Sequence, residues 1–193
     1  MESVYDHLLT DEDSNHLPWF TYPAIQYLKQ LDLSNSTIFE WGSGNSSIFF
    51  SRRCKQITSI ENDHEWFLFA TENKNENQEI LYLTDENAYT TSMDKNYDIA
   101  IVDGSHRNQC VEKSIEFLSQ CKLIILDNSN WHVKSCNFLR EKTNFIQIDF
   151  HGMGPINDYA WTTSLFFNRD FDIKPLDNSS PKKPIGGNLV FDC

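Results

Sequence analysis

The sequence predicts an α/β domain built on a seven-stranded, mostly parallel sheet with helices on both faces and an antiparallel last strand. Three observations predict it. From residue 37 onward, strand-like runs near 37–41, 56–61, 79–84, 97–102, 122–127, 145–150 and 162–168 alternate with helix-compatible segments near 46–54, 63–73, 107–120 and 132–142. Such alternation implies parallel strands covered by helices on both sides. Ile99-Ala100-Ile101-Val102 and Leu123-Ile124-Ile125-Leu126 are continuous apolar runs, the pattern of strands buried on both faces. The last two strands have no helix between them, only residues 151–161 with Gly152, Gly154 and Pro155, so they pair as a long antiparallel hairpin.

The elements follow in order. Residues 1–36 form a lead-in, in which Pro18, Trp19, Phe20, Tyr22, Pro23, Ile25, Tyr27, Leu28 and Leu31 make an aromatic entry and a short amphipathic helix. That helix either packs on the sheet or acts as a flap over the ligand mouth. Residues 37–168 are the core domain. Asn73-Lys74-Asn75-Glu76-Asn77-Gln78 reads as a polar surface loop within it. Residues 169–193 hold prolines and glycines and read as an irregular surface tail.

Composition limits the function. A chain of 193 residues suits one domain with a real core. Its net charge of −12 repels a phosphate backbone, which argues against nucleic acid as a partner and leaves a small-molecule substrate. No apolar stretch is long enough to cross a membrane, and the acidic start Met-Glu-Ser-Val-Tyr-Asp carries no secretion signal. Five cysteines, an odd set without C-x-x-C spacing, read as reduced thiols of a cytoplasmic protein. Oligomeric state is not legible.

The most informative segment is Ile38-Phe39-Glu40-Trp41-Gly42-Ser43-Gly44-Asn45-Ser46-Ser47. A strand ends in an acid, and two glycines then lead into a helix. Glycine lets the backbone turn tightly and approach a ligand, and a helix start offers unpaired N–H groups. An ordinary strand-to-helix turn would look similar. Glu40 beside the loop would repel a pyrophosphate and attract an ammonium group or ribose hydroxyls. This favours S-adenosylmethionine over NAD, as does the absence of a third glycine. Glu61 ends the next strand nineteen residues after Gly42, close to the offset at which an acid meets a ribose. Its alternative is a solvated strand-end acid.

With these residues the chain resembles the class I S-adenosylmethionine-dependent methyltransferases over about residues 18–168. The resemblance implies a Rossmann-like sheet with the last strand antiparallel and inserted beside the sixth. It also implies that the loop of Gly42, Gly44 and Asn45 cradles the methionine part of the cofactor, Glu61 binds its ribose, and Thr84-Asp85 contacts its adenine. Asp103 and Gly104, after the fourth strand, complete the expected cofactor wall.

A narrower resemblance joins Val102-Asp103-Gly104-Ser105-His106-Arg107 and Leu126-Asp127-Asn128 to cation-dependent O-methyltransferases. It implies a divalent cation such as Mg²⁺ held by Asp103, Asp127 and Asn128, an oxygen-only set suited to a hard ion. Capping or substrate contacts are the other reading of the same three residues. The Asp-Gly-x-His string also occurs in metal-using O-methyltransferases with a histidine base. His106, with Asp103, is therefore the catalytic candidate, since histidine titrates near working pH. The alternative is a loop histidine capping the helix that begins near Arg107; His132 and His151 also follow strand ends. Met153, Tyr159 and Trp161 of the hairpin loop either line a substrate pocket or pack on the surface. The expected function is methyl transfer to a small acceptor, at oxygen, or else binding by a methyltransferase-like subunit that does not catalyse.

Overall fold

The computed structural model describes Thr10 and residues 16–177. The strands are β1 (Thr37–Trp41), β2 (Gln56–Glu61), β3 (Gln78–Tyr82), β4 (Ile99–Val102), β5 (Leu123–Leu126), β6 (Ile146–Gly152) and β7 (Trp161–Phe167). They form one sheet in the order β3-β2-β1-β4-β5-β7-β6. The first five strands of that order run parallel, and β7 is antiparallel to both β5 and β6. β7 thus enters between β5 and β6, as the resemblance implies.

Both sheet faces are apolar, and alternate residues of the same strands feed them. Ile38, Ile99, Ile101, Leu123, Ile125 and Leu165 join one core with Phe20, Ile25, Leu28 and Phe50. Phe39, Ala100, Val102, Ile124, Leu126 and Phe166 join the other with Tyr89, Val111, Leu118 and Leu139. This double burial accounts for the unbroken apolar runs of β4 and β5. The helices α1 (Tyr22–Leu28) and α2 (Asn45–Ser51) cover the first face. On the second lie α4 (Glu86–Thr90), α5 (Arg107–Lys113), α6 (Ile115–Leu118) and α7 (Val133–Lys142). The remaining helix, α3 (His64–Glu72), follows β2 and precedes β3.

Two elements differ from expectation. The segment 107–120 is two short helices rather than one. The break is at Ser114, whose carbonyl accepts from both Phe117 N–H and Leu118 N–H in a tightened turn. α4 was not expected at all. Its five residues are too few for helical periodicity to register, and it forms behind a polar cap, with Asp85 accepting from Ala88 N–H at 2.8 Å.

The lead-in helix packs on the sheet, and the residue that reaches the cavity precedes it. α1 buries Ala24, Ile25 and Leu28 in the first core, while Trp19, just before it, turns to meet Trp66 edge-to-face at 4.9 Å. The lead-in is stitched to the hairpin by Tyr22 N–H to Met153 O and Thr21 Oγ1 to Phe150 O, at 2.8 and 2.9 Å. Past β7 the chain has no regular element up to residue 177. Bonds from Asp32 N–H to Lys174 O and from Leu176 N–H to Gln30 O hold it down. The rest of the expected tail, and Cys193, lie outside the described residues.

Candidate cofactor and acceptor cavity

Parallel pairing sets Trp41, Val102 and Leu126 side by side at the carboxyl ends of β1, β4 and β5, and antiparallel β7 places Ser164 beside Leu126. The residues that follow, Gly42, Asp103 and Asp127, therefore emerge in a row. This is the edge at which open α/β sheets bind ligands. A cavity of about 490 Å³ opens there, within the usual range for ligand sites. Its wall includes Gly42, Gly44, Asn45, Glu61, Asp103, Gly104, Asp127 and Asn128. Eight of the eleven expected site residues are thus brought together.

At one end of the cavity the glycine loop is fixed by contacts that tolerate no side chain. Gly42 has φ +89°, and a Cβ on Gly104 would lie 2.6 Å from Gly42 N and 2.0 Å from the Tyr89 hydroxyl. The loops after β1 and β4 thus touch backbone to backbone. Glu61 is buried and holds this end in shape. One of its oxygens accepts from Ser43 N–H at 2.6 Å and Ser43 Oγ at 3.2 Å. The other accepts from Asn62 N–H and Asp63 N–H at 2.8 and 2.9 Å. Burial raises its pKa and these bonds oppose the rise. Asp63 then caps α3, accepting from Glu65 N–H and Trp66 N–H, and so places the Trp66 ring against Gly44.

Glu40 is not on the cavity wall. It is fully buried beneath the loop, where its oxygens accept from Ser46 Oγ, Ser47 Oγ and Ser59 Oγ at 2.6, 2.5 and 2.7 Å. Ser47 Oγ in turn accepts from Gly44 N–H at 3.0 Å. The acid before the glycines therefore shapes the loop from below. Burial pushes its pKa up to about 7, against the pull of the three hydroxyls. Asp85 is exposed and caps α4, also off the cavity wall.

At the other end, Asp103, Asp127 and Asn128 do converge, but around Arg107. Its Nε–H donates to Gly104 O at 2.9 Å. Nη1 donates to Asp127 O at 2.6 Å and Asn128 Oδ1 at 3.0 Å. Nη2 donates to Asp103 O at 2.6 Å and meets Asp103 Oδ1 at 3.1 Å. The guanidinium thus makes four hydrogen bonds and one ion pair. The expected divalent cation therefore does not fit: a fixed positive charge already holds Asp103 and Asn128. Among the described residues no group of three or more His, Cys, Asp or Glu side chains is placed to hold a metal ion.

Asp127 is 2 % exposed, and its Oδ1 accepts from Trp161 Nε1 at 3.1 Å and Thr163 Oγ1 at 2.5 Å. Burial, and then the charge of Asp103, raise its pKa. Asp103 is raised by burial and held back by Arg107.

His106, expected as the catalytic base, is placed away from the cavity wall. Its ring faces α4, with Nδ1 4.0 Å from Glu86 Oε1 and the ring 6.3 Å from that of Tyr89, and it does not line the cavity. It sits at the start of α5 in a left-handed conformation, φ 52°, without a side-chain cap bond. His132 and His151 also stand off the wall, His151 bonded to Thr162 Oγ1 at 2.8 Å. Of the hairpin residues, Tyr159 and Trp161 line the cavity with Ile156 and Asn157, while Met153 is exposed away from it. Arg107, Trp66 and Trp131 were missed. Arg107 had a legible signal, a cation four residues after Asp103 on a starting helix.

No protein-family model matches the chain, and no curated protein does. Solved structures do. A precorrin-6y C5,15-methyltransferase from Geobacter metallireducens is 13 % identical with a TM-score of 0.56, covering 84 % of this chain and 95 % of its own. A putative methyltransferase from Streptococcus mutans in complex with SAH is 14 % identical with a TM-score of 0.53, covering 74 % and 94 %. TYW2 of M. jannaschii in complex with AdoMet is 12 % identical with a TM-score of 0.52, covering 78 % and 77 %. At such identities the likeness is one of fold. The chain has the fold of the class I S-adenosylmethionine-dependent methyltransferases.

Proposed function

We propose that this protein binds S-adenosylmethionine in the cavity and transfers its methyl group to an oxygen of a small acceptor. One observation carries the reading: the sheet register gathers the glycine loop, Glu61 and the Asp103–Asp127 pair around one opening. The residues present fit the cofactor. Gly42, Gly44 and Asn45 lie on the cavity wall, and Glu61 reaches it with Ser43 Oγ as its weakest partner, which a ribose hydroxyl can replace. Two of the similar structures, named above as complexes with SAH and AdoMet, support the same cofactor.

The bound cofactor would supply a methyl group on a positively charged sulfur, which needs only an aligned nucleophile. The chain's own residues then bind, orient and exclude water: Trp19 and Trp66 wall the glycine-loop side, and Trp131, Tyr159 and Trp161 wall the other. Alignment is where such an enzyme gains rate. The net charge of −12 supports a small acceptor over a polyanion. The odd cysteine count supports the cytoplasm as the compartment. No helix among the described residues is long and apolar enough to cross a membrane.

Calorimetry with S-adenosylhomocysteine, S-adenosylmethionine and NAD tests the proposal. Binding of both S-adenosyl compounds and weaker binding of NAD is expected. NAD binding more tightly than either would refute it.

A further inference from the structure

The acceptor end of the cavity is built from three things: a cation bonded to the chain, a buried carboxylate with one free oxygen, and exposed aromatic rings. Arg107 makes four hydrogen bonds and an ion pair to the chain, and its charge occupies the place a metal would take. Asp127 differs. Its Oδ1 is held by Trp161 and Thr163, and among the described residues Oδ2 has no hydrogen-bond partner although the residue lines the cavity. That oxygen opens to the cavity, where the O–H of an acceptor can reach it. Around it stand Trp131 and Tyr159, 58 % and 48 % exposed, with ring centres 6.3 Å apart, and Tyr159 continues to Trp161 at 6.1 Å. Large rings left open on a cavity wall offer stacking and edge contacts to another ring.

We infer that Arg107 replaces the divalent ion of this site, and that Asp127 Oδ2 takes the proton of an aromatic hydroxyl held against Trp131, Tyr159 and Trp161. The inference rests on the methyl-transfer reading and names its acceptor class. A hydroxyl fits better than an ammonium, because the fixed guanidinium bonded to Asp127's own carbonyl repels a second cation in the same corner. In the step, the acceptor O–H bond breaks and its proton passes to Asp127. The oxygen's electron pair forms the bond to the methyl carbon, and the carbon–sulfur pair stays on sulfur, which leaves as a neutral thioether. No metal and no further reactant enter.

The test uses the full chain, with phenol and 2-naphthol as probes and cyclohexanol and benzylamine as controls. Calorimetry with S-adenosylhomocysteine first checks the cofactor site; no binding there overturns the function itself, and this inference with it. Where it binds, ligand-observed NMR on the saturated complex should show the two phenols binding more tightly than cyclohexanol, and Trp131→Leu should reduce that preference severalfold. Methyl transfer to the phenols should be unchanged by chelator or by added Mg²⁺. Asp127→Asn keeps the Oδ1 acceptor for Trp161 and Thr163. It should therefore leave melting temperature and S-adenosylhomocysteine affinity intact while lowering transfer roughly 10²–10⁴-fold. With cofactor binding intact, three results overturn the inference: transfer that needs Mg²⁺, full transfer in Asp127→Asn, or transfer to benzylamine in preference to the phenols.

Discussion

The two ends of the cavity are built by opposite rules. The glycine-loop end is local: Glu40, Gly42, Gly44, Ser46 and Ser47 lie within eight residues, and only Glu61, Ser59 and Gly104 join from neighbouring strands. The acceptor end is assembled from far apart. Asp103 and Arg107 come from the loop after β4, Asp127 and Asn128 from the loop after β5, and Trp161 and Thr163 from β7. The glycine-loop end binds its carboxylates with neutral hydroxyls and backbone N–H groups. The acceptor end pairs Asp103 with a guanidinium and holds Asp127 by Trp161 and Thr163. The difference teaches that a buried acid has two stable solutions, and that only the second makes the site depend on a single residue.

Removing that residue should produce the largest effect. Arg107→Met leaves Asp103 without its ion-pair partner and frees four carbonyl or amide acceptors of the loops after β4 and β5. Breaking a buried ion pair in this way costs about 3–5 kcal/mol. Urea unfolding should show this, and Arg107→Lys should recover little of it, because a point charge cannot make four divergent bonds. A Met variant within about 1 kcal/mol of the parent would show the ends to be less different than described.

The neutral solution at the glycine-loop end has its own signature in pH. Glu40 in the native state titrates near 7, against 4.5 ordinarily, because burial disfavours its charge. The folded protein thus holds this proton more tightly than the unfolded chain. The contribution is fully present below about pH 4.5 and is lost as pH rises through about 7. The gap corresponds to about 3 kcal/mol. Unfolding free energy should therefore fall between pH 5 and 8, and Glu40→Gln should flatten that fall. A residual slope of the same sign remains from Asp103 and Asp127, whose pKa values burial also raises. An unchanged slope in Glu40→Gln would assign the pH dependence to Glu61, Asp103 and Asp127 instead.

The same contrast decides what was legible in the sequence. The seven strands were, because buried parallel strands write continuous apolar runs and the glycines fall at their ends. The convergence of Gly42, Glu61, Asp103 and Asp127 followed from strand order. What could not be read was how each acid would be satisfied. Glu40 sits where a ligand-facing acid would, but strand alternation and the serines at 46, 47 and 59 turn it inward. His106 follows Asp103 by three residues, yet the left-handed turn at its own position aims it at α4. Arg107 bonds residues twenty and twenty-one positions away, a pairing that no local pattern announces. The break at Ser114 and the five-residue α4 fall below the length at which periodicity speaks.

Glu61 tests whether the glycine-loop end is a ligand site or only a folded loop. It holds Ser43, Asn62 and Asp63, so Glu61→Ala costs stability as well as ligand contacts, and Glu61→Gln isolates the ligand part. For the alanine variant, measured well below its melting temperature, S-adenosylhomocysteine affinity should drop by roughly 1.5–3 kcal/mol, the scale of hydrogen bonds to a charged acceptor. The glutamine variant, which keeps one acceptor oxygen, should fall between it and the parent. Calorimetry finding equal affinity in all three proteins would leave Glu61 a purely structural acid, like Glu40.

Asp85 gives the smallest effect and the sharpest division between the two readings of an acid at a strand end. The family resemblance would set Thr84-Asp85 against an adenine. The structure instead gives Asp85 Oδ1 to the N–H of Ala88, at 2.8 Å, at the start of α4. An N-cap aspartate replaced by alanine costs about 1 kcal/mol, so Asp85→Ala should lower unfolding free energy by that amount. Because α4 carries Tyr89, whose hydroxyl abuts Gly104, loosening α4 would reach the cavity only through that contact. Affinity for S-adenosylhomocysteine should therefore change less than stability does, and Asp85→Ser, which restores a capping oxygen, should recover both. An affinity loss larger than the stability loss, not rescued by serine, would mean that Asp85 turns to the ligand when it binds.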